Sequence, residues 1–373
     1  MSMTAHDGQD APHITATEMQ SPGAAAHPSK LTVHHRSERY LMTRLLYAAL
    51  RPFKPGLAKA KHEAPESTRL TEPRNIKKKC YVHETESDGV WVYDLTQKPE
   101  SSQYGNDKVK GHRCRILYFA GGGWQMPPSD NHWAFCANLV CKLPDTKVTL
   151  ISYPLAPKNP VSVAYPRIEK VYKELLRQST KAGEIVVVAG DSSGGNLALS
   201  LVTWTLLTGM DETVKPPAAI LAISPTTDLR HEAPEIKQLD KVDPILSHSF
   251  INSTASTWCP GPVAREPDDA TEPAVHGYHP RQDWSFEDPR VSPIHADLRP
   301  LVHHGVKIHG ITGSYDVLAP EAVAFREKCK QAGIEGEWLS WHGQMHCFPM
   351  AYRFGVKESR QAVDWVIQLL KTV

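Results

Sequence analysis

No stretch of this 373-residue chain approaches the roughly 18 uncharged apolar residues that a membrane-spanning helix requires, and Leu45–Leu50 is among its longest apolar runs. A spanning helix is therefore not expected. The first thirty residues have no basic start followed by an apolar block, so a secretory leader is not expected either. Their Ala, His, Pro, Ser and Thr content reads instead as a disordered tail (1–30). The cysteines, at Cys80, Cys114, Cys136, Cys141, Cys259, Cys329 and Cys347, are odd in number and lack the spacing of a disulfide framework, which points to a reducing, cytoplasmic setting. A formal net charge of +1 argues against a nucleic-acid partner. Internal repeats are absent.

What is present is a hydrophobic fraction of 40% against 22% charged residues, enough apolar material to bury a full core. The charge is uneven. Residues 28–79 hold thirteen Lys and Arg against four Glu, an excess of nine positive charges. Residues 31–75 therefore read as a basic segment, either a solvated docking arm or a peripheral contact with an anionic membrane. In the second case Tyr40–Leu50 would form a short amphipathic helix flanked by Arg36, Arg39, Arg44 and Arg51.

From Lys77 onward β-type apolar runs alternate with helical ones, the pattern of an α/β sheet. Strands are predicted at Val90–Leu95, Arg113–Phe119, Val148–Tyr153, Glu184–Ala189, Ala218–Ile223, Val306–Ile311 and Glu335–Trp341. Helices are predicted near Val161–Gln178, Asn196–Leu207 and Glu358–Lys371. One segment, about 229–301, interrupts the alternation; it is rich in Pro, Asp and His and carries Trp258, Tyr278, Trp284 and Phe286. A structureless loop of that length is improbable inside a compact domain, and strand spacing resumes after it, so it reads as a lid inserted into a domain spanning 76–373.

The chemistry is concentrated in Gly190-Asp191-Ser192-Ser193-Gly194-Gly195-Asn196, between a predicted strand and a predicted helix. A nucleophile elbow needs this setting, with small residues two before and two after the nucleophile so that strand and helix can approach. Gly190 and Gly194 flank Ser192 in this way, whereas Asp191 would stand two places before Ser193, so Ser192 is the candidate nucleophile. A second glycine run, Ala120-Gly121-Gly122-Gly123-Trp124, follows the Arg113–Phe119 strand, where an oxyanion loop belongs. Backbone N–H groups there would stabilise the charge that develops on a tetrahedral intermediate. Gly121, Gly122 and Ser193 are the expected donors.

These two motifs, with Tyr153-Pro154-Leu155-Ala156-Pro157 and Asp288-Pro289-Arg290-Val291-Ser292-Pro293, resemble the hormone-sensitive-lipase type of α/β hydrolase over roughly residues 80–373. Ala120 stands where that family usually has His, a residue thought to brace the oxyanion loop. The resemblance implies an α/β-hydrolase fold, with a mostly parallel central sheet, helices on both faces, and a lid from the N-terminal segment plus the insertion. It also implies the chain order serine, acid, histidine. After the Val306–Ile311 strand comes Gly313-Ser314-Tyr315-Asp316-Val317-Leu318, similar to the family's acid loop, so Asp316 is the expected acid. His346, in Gly343-Gln344-Met345-His346-Cys347-Phe348, matches the family's base; the family often has Gly where Cys347 stands. His342 abuts a strand end and reads as a packing or capping residue. No third ligand cluster accompanies the two histidines, so no metal and no cofactor is expected.

The resemblance further implies a carboxylesterase or deacetylase acting on short-chain esters of hydrophobic alcohols, with Trp124, Trp258, Trp284 and Phe286 within reach of a bulky apolar group. Two other readings remain open at this stage. An amidase or formamidase would use the same triad, and receptors of the same fold keep the elbow serine as non-catalytic binders but lack the histidine that is present here as His346.

Overall fold

A computed structural model describes residues 30–57, 69–98, 112–261 and 284–373. The expected tail, apart from Lys30, and Tyr278 of the insertion lie outside the described residues. Among the described residues nine strands form one sheet: β1 (Leu31–Arg36), β2 (Cys80–Ser87), β3 (Val90–Gln97), β4 (Cys114–Phe119), β5 (Thr146–Ser152), β6 (Ile185–Asp191), β7 (Ala219–Ile223), β8 (Lys307–Gly313) and β9 (Gly336–Trp341). Their order across the sheet is β1-β9-β8-β7-β6-β4-β5-β3-β2. Every neighbouring pair is parallel except β2 with β3 and β3 with β5, so among the described strands β3 alone runs against the rest.

The strands are apolar on both faces because helices cover both faces, as a parallel sheet requires. Alternate residues face opposite sides: Leu117, Phe119, Val186 and Val188 join one core with the helices Val161–Ala182, Ser193–Thr208 and Ala319–Gln331. Ile116, Tyr118, Val187 and Ala189 join the other, with the helices Asp130–Lys142 and Lys357–Leu370. The Val161–Ala182 helix stops at Gly183, which takes the left-handed conformation (φ 73°) that a helix C-terminus favours.

One part of the chain differs from the sequence expectation. Residues 31–36, read as part of a basic lid segment, form edge strand β1, paired in parallel with β9 from Leu31↔Gly336 to Arg36↔Trp341. A lone six-residue run with two histidines and a terminal arginine has little apolar alternation, and only the exposed edge of β9 makes it a strand. The insertion contains its own helix, His248–Trp258, capped by Ser247, which accepts the N–H of Phe250. It is tied to the sheet domain by Asn196, whose side-chain amide donates to the carbonyls of Thr226 (2.9 Å) and Val291 (2.8 Å).

A parallel sheet brings the carboxyl ends of its strands to one edge, and the loops leaving β4, β6, β8 and β9 therefore meet there. That edge carries the site.

Candidate active site

Ser192 sits between β6 and the helix that begins at Ser193, with φ 53° and ψ −121°. A serine reaches this region only when its surroundings force it there. The force is the close approach of three segments: a Cβ on Gly194 would collide with the carbonyl of Phe119, and one on Gly190 with the carbonyl of Gly194. The strain presents the Ser192 hydroxyl at the wall of an apolar cavity of about 540 Å³.

His346 enters the same cavity from the loop after β9. Its Nδ1 lies 2.8 Å from Oδ2 of Asp316, from the loop after β8, and both side chains are buried. The second Asp316 oxygen accepts the N–H of Leu318 at 2.9 Å. Burial by itself would lower the histidine's pKa, but the Asp316 charge and hydrogen bond outweigh it and hold the imidazolium well above the ordinary range. With Nδ1 engaged by Asp316, Nε2 is the nitrogen left for chemistry. In this state Nε2 contacts Cys347 Sγ at 3.3 Å, and among the described residues the Ser192 hydroxyl makes no hydrogen bond. The thiol is pushed up to about 11, chiefly by burial, so it stays protonated at neutral pH.

The glycine loop corrects one expectation. The N–H of Gly121 donates to Oδ1 of Asp191 at 3.0 Å and is not free for an oxyanion. The amides of Gly122, Gly123 and Ser193 have no partner among the described residues. A side chain on Gly121 would overlap Asp191, so the first glycine serves close packing against the elbow while its neighbours present donors. The sequence offered three adjacent glycines and no means of telling which amide a side chain would occupy.

Asp191 is the hub of this bracing. Tyr118 donates its hydroxyl to Oδ1 (2.7 Å), and His132 Nε2 approaches Oδ2 at 3.3 Å. His132 is itself held by the backbone N–H of Ser129 on its Nδ1 (2.9 Å), and Tyr153 donates to the carbonyl of Ala120 (3.0 Å). The loop is thus tied from outside, although Ala120 has no side chain to do it. Burial opposes ionisation of Asp191, yet His132, Tyr118 and the Gly121 amide outweigh it and keep the carboxyl below the usual range. Neither the role of His132, a helix first-turn residue, nor that of Asp191 had a sequence signal beyond proximity to a motif.

Of the aromatic residues expected around the substrate, Trp124 lines the cavity. Trp258 does not; it is fully buried behind Trp124, stacked with ring centroids 5.4 Å apart and planes within 7°. Trp284 is also displaced, because the Arg290 guanidinium lies over its ring at 3.7 Å and Tyr165 packs beside it at 5.7 Å. Phe286 packs against the core that holds Trp284 rather than at the cavity. The walls come instead from Leu246, Phe250 and Ile251 of the insertion, Leu46 and Leu50 of the N-terminal helix, and Met350. His342 pairs with Ser314 (3.1 Å) and stands outside the cavity wall. Sequence reasoning missed Asp243, buried in the insertion, which accepts the N–H groups of Ile245 (2.8 Å), Leu246 (3.0 Å) and Val317 (3.1 Å). It thereby fastens the insertion to the acid loop. Burial and the neighbouring Asp316 charge push its carboxyl up to about 7. Among the described residues no cluster of three His, Cys, Asp or Glu side chains is arranged to hold a metal.

Residues 116–350 match the family model described as alpha/beta hydrolase fold, well over half of the chain. The chain belongs to the α/β hydrolases, in their hormone-sensitive-lipase-like branch. This hydrolase is 30% identical over 246 residues to the esterase LipU of Mycobacterium tuberculosis, covering 65% of this chain and 72% of that protein. To an esterase of Acinetobacter venetianus it is 27% identical over 248 residues, covering 66% of this chain and 71% of the other. The fold of the hydrolase is similar to that of a hormone-sensitive lipase from a metagenome library, with a TM-score of 0.65 at 20% identity, over 88% of this chain and 97% of that one.

Proposed function

We propose that this carboxylic ester hydrolase works through Ser192, His346 and Asp316 and cleaves short-chain acyl esters of hydrophobic alcohols by way of an acyl-enzyme. The observation that carries the reading is the buried 2.8 Å Asp316–His346 contact, with Nε2 and the strained Ser192 opening on one apolar cavity. His346 Nε2 leaves the Cys347 thiol and accepts the proton of Ser192 as its Oγ attacks the ester carbonyl. The carbonyl oxygen takes up negative charge and is held by the N–H groups of Gly122, Gly123 and Ser193. Collapse of this intermediate breaks the ester C–O bond, and His346 returns the proton to the departing alcohol. Water, deprotonated by the same nitrogen, then attacks the acyl carbon and regenerates Ser192. Asp316 keeps the proton on Nδ1 and offsets the imidazolium charge that forms in each step.

The cavity walls support this substrate class. Leu46, Leu246, Phe250, Ile251, Trp124 and Met350 offer apolar surface to a large hydrophobic group, while the elbow end is crowded by the glycine loop and Cys347. An acyl-chain-length series, run with p-nitrophenyl esters and with acetates of small and sterol-sized alcohols, tests this reading. A maximum kcat/KM for short acyl groups on bulky alcohols is expected, and a preference for long acyl chains on small alcohols overturns it. Comparison with an N-formyl amide separates esterase from amidase action, and labelling of Ser192 by a fluorophosphonate separates enzyme from binder.

A further inference from the structure

The helix Leu41–Leu50 is apolar on both sides, although only one side is packed. Thr43 and Tyr47 are buried, and Leu46 and Leu50 are half-buried at the cavity wall. The opposite side, Leu41, Met42, Leu45, Ala48 and Ala49, is exposed to solvent, with Leu41 at 70% and Leu45 at 57%. Arg44 is the single charge on that side. Phe53, in the turn that follows, is 66% exposed. Phe354, on the loop after His346, is 65% exposed while also lining the cavity, so the apolar patch continues to the cavity mouth. A helix this uniformly apolar is ordinarily buried on all sides, and contiguous exposed apolar surface marks an interaction face.

The charges around the patch specify what covers it. Residues 36–57 contain one acid, Glu38, against Arg36, Arg39, Arg44, Arg51 and Lys54. Arg36 lies over Trp341, Arg39 lies over Tyr315, and Lys54 pairs with Asp240. Arg44 and Arg51 are exposed and have no acidic partner among the described residues. An apolar helix face edged by unneutralised arginines is complementary to an anionic lipid surface, where the side chains enter the acyl boundary and the guanidinium groups meet phosphate.

We infer that the exposed face of Leu41–Leu50, with Phe53, docks the enzyme on an anionic membrane and opens the cavity mouth toward the bilayer. Among the described residues no helix is long and apolar enough to cross a membrane, so the contact is peripheral. A lipophilic ester dissolved in the bilayer would then pass along Leu46 and Leu50 to Ser192 without crossing water. The docking itself stands on the surface alone; only this delivery step rests on the proposed esterase reading.

The test is flotation of the full chain with vesicles of phosphatidylcholine, with or without phosphatidylserine. The chain is expected to float with the phosphatidylserine vesicles and hardly at all with phosphatidylcholine alone. The triple variant Leu41→Ser, Met42→Ser, Leu45→Ser should lower the partition constant by about tenfold or more, since three apolar groups no longer enter the acyl boundary. Arg44→Glu with Arg51→Glu should remove the preference for phosphatidylserine. Both variants should keep their thermal melting point and their hydrolysis of water-soluble p-nitrophenyl acetate. Ser192→Ala should float like the parent, so that loss of catalysis and loss of docking are read separately. Absence of vesicle binding, equal binding by parent and triple variant, or a solution dimer that the triple substitution disperses, each overturns the inference.

Discussion

Gly121 donates its backbone N–H to the Asp191 carboxylate at 3.0 Å, so the residue beside the candidate nucleophile also holds the loop that faces it. Asp191→Ala removes the acceptor from Gly121, Tyr118 and His132 together. A buried donor left without an acceptor costs about 1–3 kcal/mol, so a lower melting temperature is expected. The loosened loop should depress kcat by at least about tenfold with little change in KM, because the donors act on the transition state more than on the bound ester. Asp191→Asn keeps an oxygen for Gly121 and should retain most of the kcat. Steady-state kinetics of the pair checks this, and equal losses in both variants would refute a bracing role.

Ser192→Ala should abolish turnover to the level left by the oxyanion donors alone, a loss on the order of a millionfold. Its melting temperature should equal or exceed the parent's, because alanine brings no new group into a backbone already held at φ 53°. Activity on p-nitrophenyl acetate and labelling by a fluorophosphonate are the measurements. Retained labelling in the variant would assign the nucleophile elsewhere.

In the proposed mechanism His346 must be neutral to accept a proton, and a pH dependence follows. Because Asp316 holds its imidazolium above the ordinary range, the rising limb of kcat/KM against pH should lie above the 6.5 of an unperturbed histidine. Asp316→Asn removes the charge that favours the imidazolium, so the limb should move to lower pH. At the same time kcat should fall by roughly ten-thousandfold, through loss of the correct tautomer. A limb that stays in place would show that Asp316 does not set the titration.

Asp243 gives a stability signature of its own. Its carboxyl titrates near 7 in the folded chain against 3.8 unfolded, so the folded state binds this proton more tightly. Its contribution is fully present below about pH 4 and is lost as pH rises through 7, by about 1.4 kcal/mol for each pH unit crossed on the way. Asp243→Asn cannot ionise and should flatten the decline of melting temperature between pH 4 and 7. The same change places an amide opposite the N–H of Val317 and should lower the melting temperature at pH 5. Identical pH slopes for parent and variant would mean that Asp243 does not titrate in this window.

Local rules made much of this hydrolase legible. The seven strands read from apolar runs correspond to β3 through β9, with boundaries shifted by a residue or two. Gly190 and Gly194 were readable because strand and helix cannot meet around a larger residue. Strand β2 was not readable, since Cys80–Ser87 is exposed along much of its length and holds little apolar alternation. The helices Asp130–Lys142 and Ala319–Gln331 are not legible in the sequence because neither shows a clean amphipathic stripe; each packs where the sheet needs cover. Trp258 and Trp284 had the composition of a pocket wall, yet an indole stacks on Trp124 or under a guanidinium as readily as on a ligand.

The amino-acid order by itself determined the α/β alternation, the elbow serine and the residues that follow β4, β8 and β9, because turn sterics and strand periodicity act over a few residues. Only the tertiary structure decided which glycine amide is occupied and which stay free, that Asp191, His132 and Tyr118 hold the loop in place of a side chain at Ala120, and that Asp243 reaches the acid loop. Those outcomes depend on side chains far apart in the chain competing for the same buried donors and acceptors, and that competition is resolved only when the sheet has brought their loops to one edge.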